Sequence, residues 1–186
     1  QVTETGIKAV TIEYDGHVAA LNTRALTGVV LQGLLAPLLE TVNIINAPLI
    51  AKERNIAISE VTHDRAGDYQ TLIRLTVTTE AQSRTVAGTL FAGNRPRIVE
   101  IRGISMDAEL GPHMLIVTNR DRPGLIGIVG QTLGESGVNI ATYNLGRTES
   151  GGDAISLIGV DDAVSEDVVK KVRALPDILQ AKALAF

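Results

Sequence analysis

Hydrophobic and polar positions change period several times in the first third of the 186-residue chain. Apolar and polar residues alternate over 8–14 and stop at the turn pair 15–16, which is typical of a half-buried strand. From Thr23 to Pro37 the apolar residues recur every three or four positions, which predicts an amphipathic helix that the proline ends. A second, shorter helix is expected over 48–54, with a proline in its first turn.

Four further stretches before residue 102 carry strand patterns. They are 56–61, 69–79, 84–91 and 97–101, with turns predicted at 64–68, 80–83 and 93–94. In the second stretch the odd positions from 69 to 77 share one face, and most even positions are polar, as in a sheet with one face in water. We therefore expect an antiparallel meander that the two helices cover on one face.

Near residues 109–112 the pattern resets, and the rest of the chain follows a β-α-β-β-α-β series. Its expected parts are a central strand over 113–118, a helix stopped by a left-handed cap at Gly137, paired strands over 139–148 and 153–160, a helix from Ser165 and a strand over 178–185. A ferredoxin-like arrangement is the natural closure of such a series. The predicted fold class is α+β, with a mixed or antiparallel domain over 1–110 and a ferredoxin-like domain over 111–186.

Composition narrows the functional classes. The net charge is −4 and aromatic residues make up 3%, so neither bulk charge nor aromatic platforms favour a nucleic-acid partner. Without cysteine, the chain itself supplies no disulfide, zinc thiolate or iron-sulfur ligand. No apolar stretch is long enough for a bilayer, and no secretory signal is visible, so we expect a cytoplasmic protein without a membrane partner.

Three glycines after the predicted central strand raise the question of a nucleotide site. Gly124, Gly127 and Gly130 are spaced three and three, whereas a dinucleotide-binding turn requires G-x-G-x-x-G. This spacing disfavours nucleotide binding. Each glycine destabilises a helix relative to alanine. Several glycines in one helix therefore indicate a compensating gain from close packing or from close approach of a ligand.

The loop before that helix offers groups that suit a free amino acid. The helix start at 123–126 exposes backbone N–H groups for a carboxylate, and Asp121 supplies a carboxylate of its own. Asn119 ends one predicted strand and Asn139 begins the next, and each amide both donates and accepts. Local evidence leaves open the alternative that Asp121 and Asn139 are ordinary turn residues.

No catalytic or metal-binding constellation emerges from the remaining residues. The three histidines lie in different predicted elements without ligand spacing, so we expect no metal site. Adjacent carboxylates at 161–162 and 166–167 are explained by a loop and a helix start. The arginines within 84–102 form a local basic group that either holds an anion or is simply solvated.

Two segments closely resemble a known enzyme family. The motifs are NRDRPGLIG at 119–127, GESGVNIA at 134–141 and LGR at 145–147, together with VNIINAPLIAKER at 42–54. They resemble the ACT domain and the intervening, or allosteric substrate-binding, domain of long-form D-3-phosphoglycerate dehydrogenase. The resemblance covers nearly the whole chain and implies the C-terminal regulatory part of an enzyme of L-serine biosynthesis.

The resemblance implies a binding site shared by two subunits. ACT domains of this family commonly pair side by side and bind L-serine at their interface. The implied effector-binding residues are Asn119, Asp121, Gly124, Leu125 and Ile126 of one subunit, with Asn139 and Ile140 of the other. Homodimerisation through the ACT domains is therefore expected, and the choice between a dimer and a tetramer stays open.

Some members of the family carry a second anion site in the intervening domain. Arg97 keeps one of its basic positions, whereas Ile104 and Glu109 stand where other members carry arginine. The NAD-binding and catalytic domains of the oxidoreductase have no counterpart here, so this chain is expected to hold no cofactor and to catalyse nothing alone.

The leading hypothesis is a non-catalytic module for allosteric regulation of amino-acid biosynthesis, with the rest of the parent dehydrogenase as its partner. Two alternatives remain. The chain would be an oligomerisation module that binds no effector, or part of an iron-sulfur L-serine dehydratase, which pairs similar domains.

Overall fold

The computed structural model describes residues 6–63 and 68–186. The chain forms two compact units, Gln1–Arg95 and Pro96–Phe186. The predicted turn at 64–68 lies outside the described residues except for Asp68.

The described residues form ten strands and four α-helices, joined by turns and loops. The strands are β1 (Ile7–Gly16), β2 (Ala57–His63), β3 (Thr71–Thr79), β4 (Ser83–Phe91), β5 (Arg95–Ile101), β6 (Ile104–Glu109), β7 (His113–Arg120), β8 (Ile140–Arg147), β9 (Asp153–Val160) and β10 (Ile178–Ala185). The helices are α1 (Thr23–Leu35), α2 (Ala47–Glu53), α3 (Leu125–Glu135) and α4 (Glu166–Arg173).

The sheet of the first unit is mixed. Strand β1 lies between β2 and β3 and pairs with β2 in parallel and with β3 antiparallel, and β4 follows β3. The predicted meander is therefore wrong at its first strand, β2, which pairs with β1 and not with β3. The reason is the α1–α2 segment between β1 and β2, since a helical crossover returns the chain parallel to the strand it left.

The core of the first unit lies between β1 and the helices. Val10, Ile12 and Tyr14 of β1 are buried against Leu31 and Leu35 of α1. The Tyr14 hydroxyl forms a 2.9 Å hydrogen bond with Thr27 Oγ1, so the one polar group of this aromatic side chain is satisfied. The alternation read from the sequence correctly identified the buried face of β1.

The second unit contains the predicted ferredoxin-like fold. Its four-stranded sheet has the order β10-β7-β9-β8, and all three pairings are antiparallel. Helices α3 and α4 pack on one face through buried residues such as Val129, Leu133 and Val172. Ser165 caps α4 and Gly137 adopts the left-handed conformation with φ of 75°, as the sequence predicted. The predicted α+β fold class is confirmed.

The opposite face of this sheet is covered by strand β6, which the sequence reading overlooked. Ile104, Met106 and Ala108 alternate with exposed residues along β6 and pack against β7 and β9. Because both sheet faces are covered, β7 is buried almost throughout, which explains its continuous apolar run. The hairpin of β5 and β6 belongs to the second compact unit, although the predicted domain division lies at 110/111.

Gly146 of β8 lies where this hairpin packs against the sheet. A Cβ atom there would lie 2.8 Å from Cγ2 of Ile104 and would overlap the carbonyl oxygen of Ser105. We predict that Gly146→Ala lowers the free energy of unfolding by about 1–3 kcal/mol, measured by urea denaturation. Gly130→Ala is the matched control: a Cβ there meets open space inside α3, and the change should raise stability by about 0.5–1 kcal/mol. Equal effects of the two changes would contradict this packing.

Candidate functional site

A cleft of about 480 Å³ opens in the second unit where the β7–α3 loop meets the β8–β9 turn. Its lining comprises Asn119, Asp121, Arg122, Pro123, Gly124, Leu125, Ile126, Leu145, Arg147, Ser150 and Gly151. Five of the predicted effector-binding residues are therefore brought together in one protomer. They are Asn119, Asp121, Gly124, Leu125 and Ile126.

Strand register places the two walls of the cleft side by side. Ala154 of β9 pairs with Asn119 of β7 on one side and with Arg147 of β8 on the other. Side chains of residues directly opposite one another project from the same face of a sheet. Asn119 and Arg147 thus share the face that carries α3 and α4, at the end where α3 begins.

Asp121 joins the two walls. Its Oδ2 accepts a 2.7 Å hydrogen bond from Arg147 Nη1 and a 3.2 Å hydrogen bond from the Gly151 amide, while its own amide donates to the Gly152 carbonyl at 2.8 Å. The Arg147 guanidinium, together with the Gly151 amide, lowers the pKa of the Asp121 carboxyl below its ordinary value. Asp121 therefore carries a negative charge in the cleft at neutral pH.

The start of α3 contributes hydrogen-bond donors. Gly124 caps the helix with φ of 85°, a left-handed conformation that glycine adopts without a steric penalty. Its carbonyl accepts the first helical bond, from Ile128 at 3.0 Å. In the first turn the Leu125 N–H donates to the Arg122 carbonyl at 3.3 Å, whereas the N–H groups of Ile126 and Gly127 precede the first bond within the helix and are available to an anion at its positive end.

Asn119 presents an oxygen to the cleft. It is 2% exposed, and its Nδ2 donates to the Arg120 carbonyl at 2.9 Å. One N–H of the amide is used in this way, which leaves the second N–H to donate and Oδ1 to accept a hydrogen bond from a ligand. The cleft thus combines acceptors on Asp121 and Asn119 with donors at the start of α3.

Asn139 and Ile140 do not line the cleft of their own protomer. Asn139 Nδ2 donates to Asp161 Oδ2 at 2.7 Å, and Ile140 packs at the edge of the core formed by the sheet and helices. Their assignment to the cleft of a second subunit stays a prediction.

Arg97 lies on β5, away from the cleft. Its guanidinium contacts two carboxylates of β6, with Nη1 2.7 Å from Asp107 Oδ1 and Nη2 3.6 Å from Glu109 Oε2. The hydrogen bond with Asp107 raises the pKa of Arg97 above its ordinary value. An anion would have to compete with both carboxylates, so this geometry adds no support to the predicted anion-binding role.

Sequence reasoning missed the contribution of β8 and its turn. Leu145, Arg147, Ser150 and Gly151 line the cleft but were not among the predicted site residues. Counting back from the Gly151–Gly152 turn through an antiparallel pair would have placed Arg147 opposite Ala154, whose other neighbour is Asn119 at the end of β7. The arginine was visible in the sequence, but its pairing with Asp121 depends on that register.

Residues 6–63 and 68–186 contain neither a membrane-spanning helix nor a cluster of metal ligands. No helix there is long and apolar enough to span a bilayer. No three His, Asp or Glu side chains of those ranges lie together in a way that would hold a metal ion.

The fold defines a two-unit α+β protein whose second unit contains an ACT domain, since the ACT-domain family model matches residues 113–177. The model of the D-3-phosphoglycerate dehydrogenase intervening domain matches residues 1–102, more than half of the chain. The chain therefore belongs to the D-3-phosphoglycerate dehydrogenase intervening-domain family, with an ACT domain following that domain. The resemblance read from the sequence motifs is confirmed.

Curated relatives match almost all of the chain. A D-3-phosphoglycerate dehydrogenase of Bacillus subtilis is 37% identical over 177 residues, which cover 95% of this chain and 34% of the relative. The enzymes of the same name from Methanocaldococcus jannaschii and Archaeoglobus fulgidus are 35% and 32% identical, covering 96% and 94% of this chain and 34% of each relative. The chain thus spans about a third of the length of these relatives.

Stability should depend on pH through Asp121. Because its pKa is lower in the folded chain than in the unfolded chain, its stabilising contribution is complete above the ordinary carboxyl pKa of about 4 and is lost as pH falls through the folded value. We predict that Asp121→Asn destabilises the chain at about pH 7 and that the difference from wild type shrinks towards about pH 2.5. Thermal unfolding across this range measures the difference.

Asp153→Asn is the control, since Asp153 is exposed at the start of β9 and the described residues form no ion pair with it. A wild-type minus Asp121→Asn difference that stays constant with pH would contradict the ion pair with Arg147.

Proposed function

We propose that this chain is a non-catalytic regulatory part of a D-3-phosphoglycerate dehydrogenase and that its ACT domain binds L-serine. Serine is the product of the biosynthetic pathway in which the parent enzyme acts, so binding provides feedback control. The observation that carries the proposal is the cleft itself, which the Asp121 carboxylate and the N-terminus of α3 line together.

The cleft has the polarity of a free amino acid. An α-ammonium group is matched by the Asp121 carboxylate and the Asn119 carbonyl oxygen, and an α-carboxylate by the N–H groups of Ile126 and Gly127. A short polar side chain such as that of serine leaves room in about 480 Å³. Partner residues Asn139 and Ile140 would fill part of that room and complete the site.

Exposed apolar residues beside the cleft support pairing of two ACT domains. Ile126, which lines the cleft, and Ile128 are 52% and 41% exposed, and they project from different sides of α3 because they are two residues apart. Strand β8 is the last strand of its sheet and pairs with β9 alone among the strands described in the second unit. A second copy that pairs along β8 would cover this edge together with Ile126, which lines the same cleft as Leu145 and Arg147 of β8.

The dehydrogenase names of the relatives support a dehydrogenase parent over the alternative of a serine dehydratase. In the proposed parent, the NAD-dependent oxidation is carried out by domains outside this chain. Serine would act by binding one arrangement of those domains more tightly than another, since a ligand shifts an equilibrium only by its difference in affinity.

We predict that isothermal titration calorimetry detects L-serine binding to the 186-residue chain and that Asp121→Asn weakens it at least about tenfold. Loss of the carboxylate removes the partner of the ligand ammonium. Asp153→Asn, which removes an equal charge outside the cleft, should bind serine as the wild type does. Absence of heat at millimolar serine would contradict the proposed function.

We predict that light scattering of the wild-type chain gives the mass of a dimer and that Ile126→Glu shifts it towards the monomer. A carboxylate placed in an apolar interface lacks a partner and weakens association. Leu179→Glu is the matched control, because Leu179 is 57% exposed on β10, the opposite edge of the sheet. A monomeric wild type, or equal effects of both variants, would contradict pairing through α3 and β8.

A further inference from the structure

The two side-chain contacts of Asp121 meet at the same oxygen. Arg147 Nη1 and the Gly151 amide both donate to Oδ2, at 2.7 Å and 3.2 Å. Within residues 6–63 and 68–186, no hydrogen bond reaches the other oxygen, Oδ1. The carboxylate is thus held by one oxygen while the other stays available in the cleft that Asp121 lines.

Arg147 has the geometry of a support for this carboxylate. Its side chain is half exposed on the last residue of β8, whereas that of Asp121 is 22% exposed. Charge-assisted bonds of this length are among the stronger hydrogen bonds in proteins. A carboxylate fixed at one oxygen loses less rotational freedom when a ligand binds than one that is free to turn.

We infer that Arg147 is a positioning residue, which holds Asp121 through Oδ2 so that Oδ1 receives the ligand ammonium. This inference rests on the proposed function, because it concerns how the same cleft binds an amino acid. The lowered pKa of Asp121 agrees with it, since a support of this kind also keeps the carboxyl ionised.

The rival role for Arg147 is direct binding of the ligand carboxylate. The two roles differ in measurable ways, because direct binding would make Arg147 responsible for discrimination between a carboxylate and an amide. L-serinamide carries that amide in place of the serine carboxylate. A positioning residue leaves the preference for serine over serinamide intact, while a direct ligand creates it.

The test is a double-mutant cycle by calorimetry on the 186-residue chain, with L-serine and L-serinamide as titrants. Arg147→Gln should weaken serine binding about tenfold or more, and Arg147→Lys should recover part of that loss. The double variant with Asp121→Asn should bind no more weakly than Asp121→Asn alone, because the support has nothing left to hold. The ratio of serine to serinamide affinity should stay at its wild-type value in Arg147→Gln.

A control variant and a ligand-free measurement separate the outcomes. Arg120→Gln removes the same charge from an exposed residue outside the cleft and should leave serine affinity unchanged. In NMR titration without ligand, Arg147→Gln should raise the pKa of the Asp121 carboxyl. An unchanged pKa, wild-type affinity in Arg147→Gln or additive losses in the cycle would overturn the positioning role alone. A wild-type chain that binds no serine would overturn the proposed function, and the positioning role with it.

Discussion

The ACT-domain cleft depends on Asp121, which connects the β7–α3 loop to β8 and the β8–β9 turn. The backbone amide and the side chain of Asp121 both bond to the end of β8 or the β8–β9 turn, so the loop that leads into α3 is tied to that turn at the same end of the sheet. The same carboxylate lines one cleft with the positive end of α3, and this brings an anionic acceptor and backbone donors together. A zwitterion matches both kinds of group, whereas a simple anion or cation would match only one of them.

Burial of the sheet on both faces constrains where a partner can bind. Helices α3 and α4 cover one face, and Ile104, Met106 and Ala108 of β6 cover the other. Gly146 allows the hairpin to approach because it has no Cβ to overlap Ser105. Neither face of the sheet is therefore open to another chain, and the exposed apolar surface beside the cleft lies on α3, next to the free edge of β8. This supports association along the edge, as we propose for two ACT domains.

Much of the fold could be predicted from local sequence patterns, whereas the pairing of strands that are distant in the chain could not. Periodicity predicted β1, α1 and the whole β-α-β-β-α-β series, because each signal lies within one element. The alternation in β6 was equally readable but lay between the two family motifs and was overlooked. The meander was wrong because parallel pairing of β1 with β2 follows from the helical crossover and not from any strand's own pattern.

The residues of the candidate site differ in the same way, since some were predictable from local sequence and others depend on strand register or on a second subunit. Asp121 and the start of α3 were recognisable because one short loop contains both chemistries. Arg147 is 26 residues further along the chain, and only the register of three strands brings it to Asp121. The contribution of Asn139 and Ile140 depends on a second subunit, which no pattern within a single chain determines.

A crystal structure of the chain with L-serine is the most direct test of the account. We expect the serine ammonium within hydrogen-bond distance of Asp121 Oδ1 and the serine carboxylate at the N–H groups of Ile126 and Gly127. Serine bound elsewhere on the chain, or bound in the cleft with its ammonium turned away from Asp121, would contradict the account.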